Sequence, residues 1–309
     1  MPLPFILWGA AAALAATGVV KGVEAVGNMN EAKETGERAE RRHRRKKREL
    51  EELRDETNAR YIALGELKKE VFLNQIKHVI ETLKKMKDAG SKLTGFESTF
   101  TVEELKQMEQ MVKMSLELDS GLLAGAVGGA LAGFGAYGSV GLLAAASTGT
   151  AISALSGAAA TNATLAWLGG GSLAAGGFGM AGGMMALGGI IAGPALAIGG
   201  FMLASKAEEA LTKAREYSAE VDEAVEKMEL MGESLRGLQT NADEMTHALL
   251  EMVKRFERVK VCEIGDEEKL NTMLAVGKSL KKLLDINLMS EDGSPVLGIK
   301  QTCSGLLEC

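Results

Sequence analysis

Apolar residues recur along the C-terminal half of this chain at alternating four- and three-residue intervals. Ala210, Ala214, Tyr217, Val221, Ala224, Met228, Met231, Leu235, Leu238, Ala242, Met245, Leu249, Met252, Phe256 and Val259 follow one another without a break. This heptad spacing predicts one long helix with a coiled-coil seam, centred on Val221, Met228, Leu235, Leu238, Met245, Leu249 and Phe256. Leu203 and Ala207 extend the pattern backwards, and Cys262 extends it forwards. At ~1.5 Å per residue the helix reaches roughly 75–90 Å. Alanine and methionine are unusual in a dimeric zipper but suit close packing within one chain, where methionine adapts to its neighbours.

A second amphipathic stretch runs from Asn30 to about Gly90. Leu50, Leu53, Tyr61, Leu64, Leu67, Val71, Ile76, Val79, Ile80, Leu83 and Met86 form a stripe of irregular register, which needs a partner. The heptad helix has a similar length, so the expected pairing is a long antiparallel coiled coil. A shorter helix begins at Thr101, where Thr101-Val-Glu-Glu104 reads as a capping box. Its apolar face uses Leu105, Met108, Met111, Val112, Leu116 and Leu118. After a break at Gly265, Leu270, Met273, Leu274, Leu280, Leu283 and Leu284 mark one more amphipathic helix. Glu291-Asp-Gly-Ser-Pro295 then turns the chain into a short tail.

Charge changes this picture more than hydropathy does. The formal net charge of -6 and the pI near 5.4 argue against a nucleic-acid partner, yet the charge lies in blocks. No charged residue stands between Asp119 and Lys206, a length that accommodates as many as four membrane spans of ~20 residues. Polar breaks at Ser147-Thr-Gly-Thr150 and Thr161-Asn-Ala-Thr164 divide the stretch into helices at about 121–146, 151–168 and 173–204. Gly121, Gly125, Gly129 and Gly133 recur every fourth residue, and Gly179 with Gly183 and Gly189 with Gly193 repeat the device. Small residues at this spacing let helix backbones approach closely inside a bilayer. Three readings fit: a conditional membrane insert, a permanent hairpin anchor, and a tightly packed soluble core. Glycine and alanine gain little on leaving water compared with the roughly 1.5–3 kcal/mol of a leucine, which favours the conditional insert.

The N-terminal run Pro4–Val20 is also uncharged and holds Trp8. It fits a membrane anchor, a cleaved signal or a buried helix. Positive charge follows it at Lys21 and in the basic run at 41–48, which as an anchor would keep the charged helices on the cytoplasmic side. Glutamates at 49, 51 and 52 follow the basic run, with Lys47–Glu51 and Arg48–Glu52 spaced for pairing. It reads either as a solvated helix face or as a contact for acidic headgroups. The expected blocks are therefore 1–28 as an apolar anchor helix, 29–119 as charged helices, 120–205 as the insertion region, 206–290 as the heptad helix plus a further helix, and 291–309 as a tail.

Motifs for chemistry are weak. Gly133-Phe-Gly-Ala-Tyr-Gly138 and Gly177-Phe-Gly-Met-Ala-Gly182 match a dinucleotide fingerprint, but no strand precedes them and no carboxylate follows at the required distance. Both read as packing glycines. Gly277-Lys278-Ser279 resembles the end of a phosphate loop, with Thr272 where the first glycine belongs. His43, His78 and His247 lack metal-ligand spacing. Cys262, Cys303 and Cys309 form no zinc or redox motif. No enzyme activity, cofactor or metal is expected.

The order of charged helix, glycine- and alanine-rich apolar insert and long charged helix resembles the α-helical pore-forming proteins. It is similar to the apolipoprotein L family and its bacterial relatives, and more distantly to cytolysin-A-type toxins. GLLAGAVGGALAGFGAYG at 121–138 and WLGGGSLAAGGFGMAGGMMALGGIIAG at 167–193, which opens on Trp167, carry the likeness. It extends to architecture over about two thirds of the chain and implies membrane insertion, with permeabilisation or remodelling of a bilayer. The sequence therefore predicts an all-α, membrane-associated homo-oligomer whose partner is the lipid bilayer. The alternative is a membrane-anchored coiled-coil scaffold that binds protein partners.

Overall fold

The computed structural model describes residues 19–88, 100–120, 131, 134–136, 207–261, 266–290 and 294–308. About 91% of them are helical and none forms a strand, so the described chain is all-α. The helices are α1 (Val19–Val71), α2 (Lys77–Asp88), α3 (Val102–Asp119), α4 (Ala207–Val259), α5 (Glu267–Leu284) and α6 (Ile299–Glu308), with a π-helical turn, Phe72–Ile76, joining α1 to α2. No described helix is long and apolar enough to cross a membrane. Trp8, Gly121, Gly125, Gly129, Gly133, Trp167, Gly179, Gly183, Gly189 and Gly193 lie outside the described residues.

The chain divides into two compact units, Met1–Glu52 with Ile190–Gly232 and Leu53–Gly189 with Glu233–Cys309. In the first unit α1 meets α4 through small residues. Ala32 packs with Ala210 and Ala214, and Ala39 packs with Tyr217 and Val221. Ion pairs flank this contact: Glu31 with Arg215 at 2.9 Å, Arg42 with Asp222 at 2.7 Å and Lys46 with Glu229 at 3.1 Å. Arg42 also donates to Ser218 Oγ at 3.1 Å.

These partners ascend together along both helices, so α1 and α4 run parallel within this unit. The second unit repeats the direction. Arg60 pairs with Asp243, the Tyr61 hydroxyl donates to Leu238 O at 3.1 Å, Gln75 donates to Glu257 at 2.7 Å, and His78 Nε2 meets Val261 O at 2.9 Å. The antiparallel pairing expected from sequence is thus corrected. Antiparallel neighbours follow from short connections. The connection between these helices is long enough to return the chain to the start of α1, and matched length alone does not set direction.

The second unit has a deeper core. Val221, Met228, Leu235, Leu238, Met245, Leu249 and Phe256 are all buried, the last five of them in this unit beside Tyr61, Leu64, Phe72, Ile76 and Met86. Met231 departs from the heptad expectation: it is half-buried, and Gly232 is buried beside it. Helix α3 starts with the capping box read from sequence, Glu104 N–H donating to Thr101 Oγ1 at 3.1 Å and Thr101 N–H to Glu104 at 2.7 Å. It runs antiparallel to the α1–α2 segment, with Lys84 on Glu109 at 2.7 Å and Lys69 on Asp119 at 3.2 Å. Its buried face is Met108, Met111, Val112, Met114, Ser115 and Leu118, whereas Leu116 is exposed.

Of the residues read as a tail, 294–308 are described and most of them are helical. Gly298 adopts a φ of 79°, a conformation that glycine takes without steric cost, and α6 follows it. Ile299 and Cys303 turn inward from α6, and Arg255 donates to Leu307 O at 3.1 Å. Cys303 is a buried free thiol.

Candidate functional site: the entry of the uncharged segment

Beyond Ser120, which caps α3, Leu131 and Phe134–Ala136 are the described residues of the uncharged segment, and these four are helical and buried. Leu131 lies beside Gly65 and Gly135 beside Tyr61, so this piece too runs antiparallel to α1. Gly65 faces the Leu131 carbonyl, and Gly135 faces the Tyr61 carbonyl. A Cβ built on either glycine collides with that carbonyl oxygen, and each would also stand 3.2 Å from the other glycine's amide nitrogen. The two backbones therefore meet at a distance only glycine permits. Phe72, the first residue of the π-helical turn, sets its ring edge-on to Phe134 with 5.8 Å between centroids. Leu288 N–H donates to Ala136 O at 2.9 Å, and Leu288 O in turn accepts from the buried Asn241 side chain at 3.0 Å.

Lys68 closes the site. It is 1% exposed, and its Nζ donates to Gly135 O at 3.0 Å. Burial holds its ammonium well below the ordinary lysine range, at about 7, although Asp285 and Cys303 pull the other way. Burial also raises the Asp285 carboxyl above its ordinary value, against the hydrogen bond and charge of Lys281. A charged lysine on an apolar helix face is costly unless its surroundings compensate, and the Gly135 carbonyl is one group that does so.

A cavity of about 580 Å³ lies beside α6, lined in part by Asp243, Glu244, His247, Lys300 and Cys303. Lys300 reaches Glu244 at 3.6 Å and Arg60 engages Asp243. Burial pushes the Cys303 thiol up to about 11, so this sulfur stays protonated at neutral pH and is a poor nucleophile. Among the described residues no cluster of three or more His, Cys, Asp or Glu could hold a metal ion.

Sequence reasoning missed Gly65 and Lys68, two of the α1 residues of this entry site. Gly135 stands inside the Gly133–Gly138 run, and it packs backbone to backbone as a packing glycine does. Lys68 carried one signal, its place on the apolar stripe four residues after Leu64 and three before Val71. The run Leu67-Lys-Lys-Glu70 otherwise has the composition of a solvated helix face. Gly277 of the phosphate-loop echo packs inside its helix, where a Cβ would stand 2.9 Å from the Val79 side chain.

No family model matches this chain, and it has no match among curated proteins or solved structures.

Proposed function

We propose that this chain is a membrane-active helical protein that inserts its central uncharged segment into a bilayer and oligomerises there, altering permeability or shape. The observation that carries the reading is the absence of charge from 120 to 205 between two heavily charged helices. Continuous apolar sequence of that length exceeds the need of a single span, and its glycine spacing suits helices that associate within lipid. The close crossing at Gly65 and Gly135 supports the conditional form of the reading. There the described residues Leu131 and Phe134–Ala136 are buried against the charged helices, the covered state that a conditional insert requires. The charged helices lie on the cytoplasmic side in this reading, and it requires no cofactor, catalytic residue or nucleic acid.

Dye release from liposomes tests it. The full-length protein releases an encapsulated dye, and replacing Gly125 and Gly129 with leucine abolishes release while leaving the helical content unchanged. A membrane-anchored scaffold, the competing reading, releases nothing in either form.

A further inference from the structure

We infer that His43 is an acid-operated release in the α1–α4 seam of the first unit, which opens when the imidazole takes up a proton. The inference goes beyond the membrane-active reading and does not rest on it. His43 stands four residues after Ala39 and three before Lys46, and both of those residues contact α4. This spacing puts His43 on the same side of the helix. Its Nε2 atom is buried and has no hydrogen-bond partner. The neutral ring can carry its hydrogen on Nδ1 and leave Nε2 as a bare acceptor. Protonation adds a donor and a positive charge at that buried atom. A buried donor without an acceptor is costly, and an unpaired charge more so.

The carboxylates level with His43 are engaged elsewhere or turned to solvent. On α1, Glu40 holds Arg44 at 3.1 Å, and the other charged neighbours are the cations Arg42, Lys46 and Lys47. On α4, Asp222 holds Arg42 at 2.7 Å, Glu223 holds Lys227 at 2.6 Å and Glu229 holds Lys46 at 3.1 Å. Glu220 and Glu226 are exposed. Arg42 Nε is likewise buried without a partner, so this turn already holds a donor that lacks an acceptor. Burial first, and the Lys47 ammonium second, hold the His43 imidazole below its ordinary 6.5. The seam is therefore fully stabilised above that value and loses stability as pH falls from it through the folded value. Because the contact is built largely from alanines, a modest cost is enough to open it. The second unit has no matching lever among its described histidines. His78 Nε2 meets Val261 O at 2.9 Å, and His247 is exposed.

Hydrogen exchange of the full-length protein at pH 7 and at pH 5.5, corrected for the intrinsic pH dependence of exchange, tests the release. Exchange over 29–46 and 207–229 quickens by about threefold or more on acidification, while 233–259 stays unchanged. His43→Leu removes the titrating ring and makes the first unit indifferent to pH over this range. Acid acceleration that persists in His43→Leu overturns the inference, because another group then drives it. A wild type whose first unit does not respond overturns it too, and so does equal acceleration of 233–259. Should His43→Leu fail to fold, ring-proton NMR of the wild type decides. The His43 ring titrates at lower pH in the folded protein than in the urea-unfolded chain. Titration at the same or a higher pH means that the closed seam tolerates the charged ring, and the inference falls.

Discussion

From Ala32 to Val221 the helices α1 and α4 meet through alanines, one tyrosine and one valine. From Tyr61 to Phe256 the same two helices bury leucine, isoleucine, methionine and phenylalanine, with α2, α3, α5 and α6 contributing to the core. Both regions share one heptad rhythm and one parallel direction. They differ in the apolar surface each turn removes from water. In the first unit alanine carries much of the contact, and cross-helix ion pairs such as Arg42–Asp222 are substantially exposed, which limits them to about 0–1 kcal/mol each. In the second, large side chains are fully enclosed. A regular seam is therefore no measure of stability. What stands behind the seam decides it, and the first unit should open at lower free energy than the second.

The comparison breaks most visibly at Phe256, which is fully buried against the His78 ring at 6.3 Å between centroids. Phe256→Ala should destabilise the second unit by about 3–5 kcal/mol, measured as a lower denaturant midpoint and faster exchange of 233–259. A result below ~1 kcal/mol places the deep core elsewhere.

Next in size is the pH response of the second unit. The folded Lys68 ammonium sits at about 7 against an ordinary 10.5, so between those values the unfolded chain holds more protons and stability rises with pH. Below about 7 the penalty is constant. The Cys303 thiol has the opposite sense, raised from 9.0 to about 11, and its contribution is lost as pH climbs above 9. The clean window is thus pH 7 to 9, where Lys68 should add about 2 kcal/mol of stability. Equilibrium denaturation of wild type and Lys68→Met across that window checks it: the wild type gains stability, and the variant stays flat.

A more local effect belongs to the first unit. Ala214 is fully buried against Ala32, and Ala214→Leu should push the helices apart at a cost of about 1–3 kcal/mol. Exchange should quicken over 29–46 and 207–229 and stay unchanged over 233–259. Equal acceleration in both regions erases the distinction between the units.

Elements governed by local chemistry were legible in the sequence. The heptad positions from Ala210 to Phe256 are buried with one exception at Met231, because a regular stripe on a long helix leaves few ways to pack. The Thr101 capping box is local to four residues and forms as its spacing predicts. Helix α5 follows its apolar stripe. Tertiary choices were not legible. The direction of pairing depends on where a long connection takes the chain, which no periodicity within α1 or α4 encodes. Helix α6 buries only Ile299 and Cys303, too sparse a pattern to separate it from a polar tail. Gly65 and Lys68 lie in an ordinary charged helix, and their meaning comes from Gly135, on a different part of the chain.

The uncharged segment's transfer to lipid is tested most directly by flotation of the full-length protein with liposomes containing anionic lipid, in the absence of detergent. The proposed function predicts that the protein rises with the vesicles, and that the fraction doing so falls when Gly125 and Gly129 are replaced with leucine. A protein that stays at the bottom of the gradient at every pH and lipid composition contradicts it.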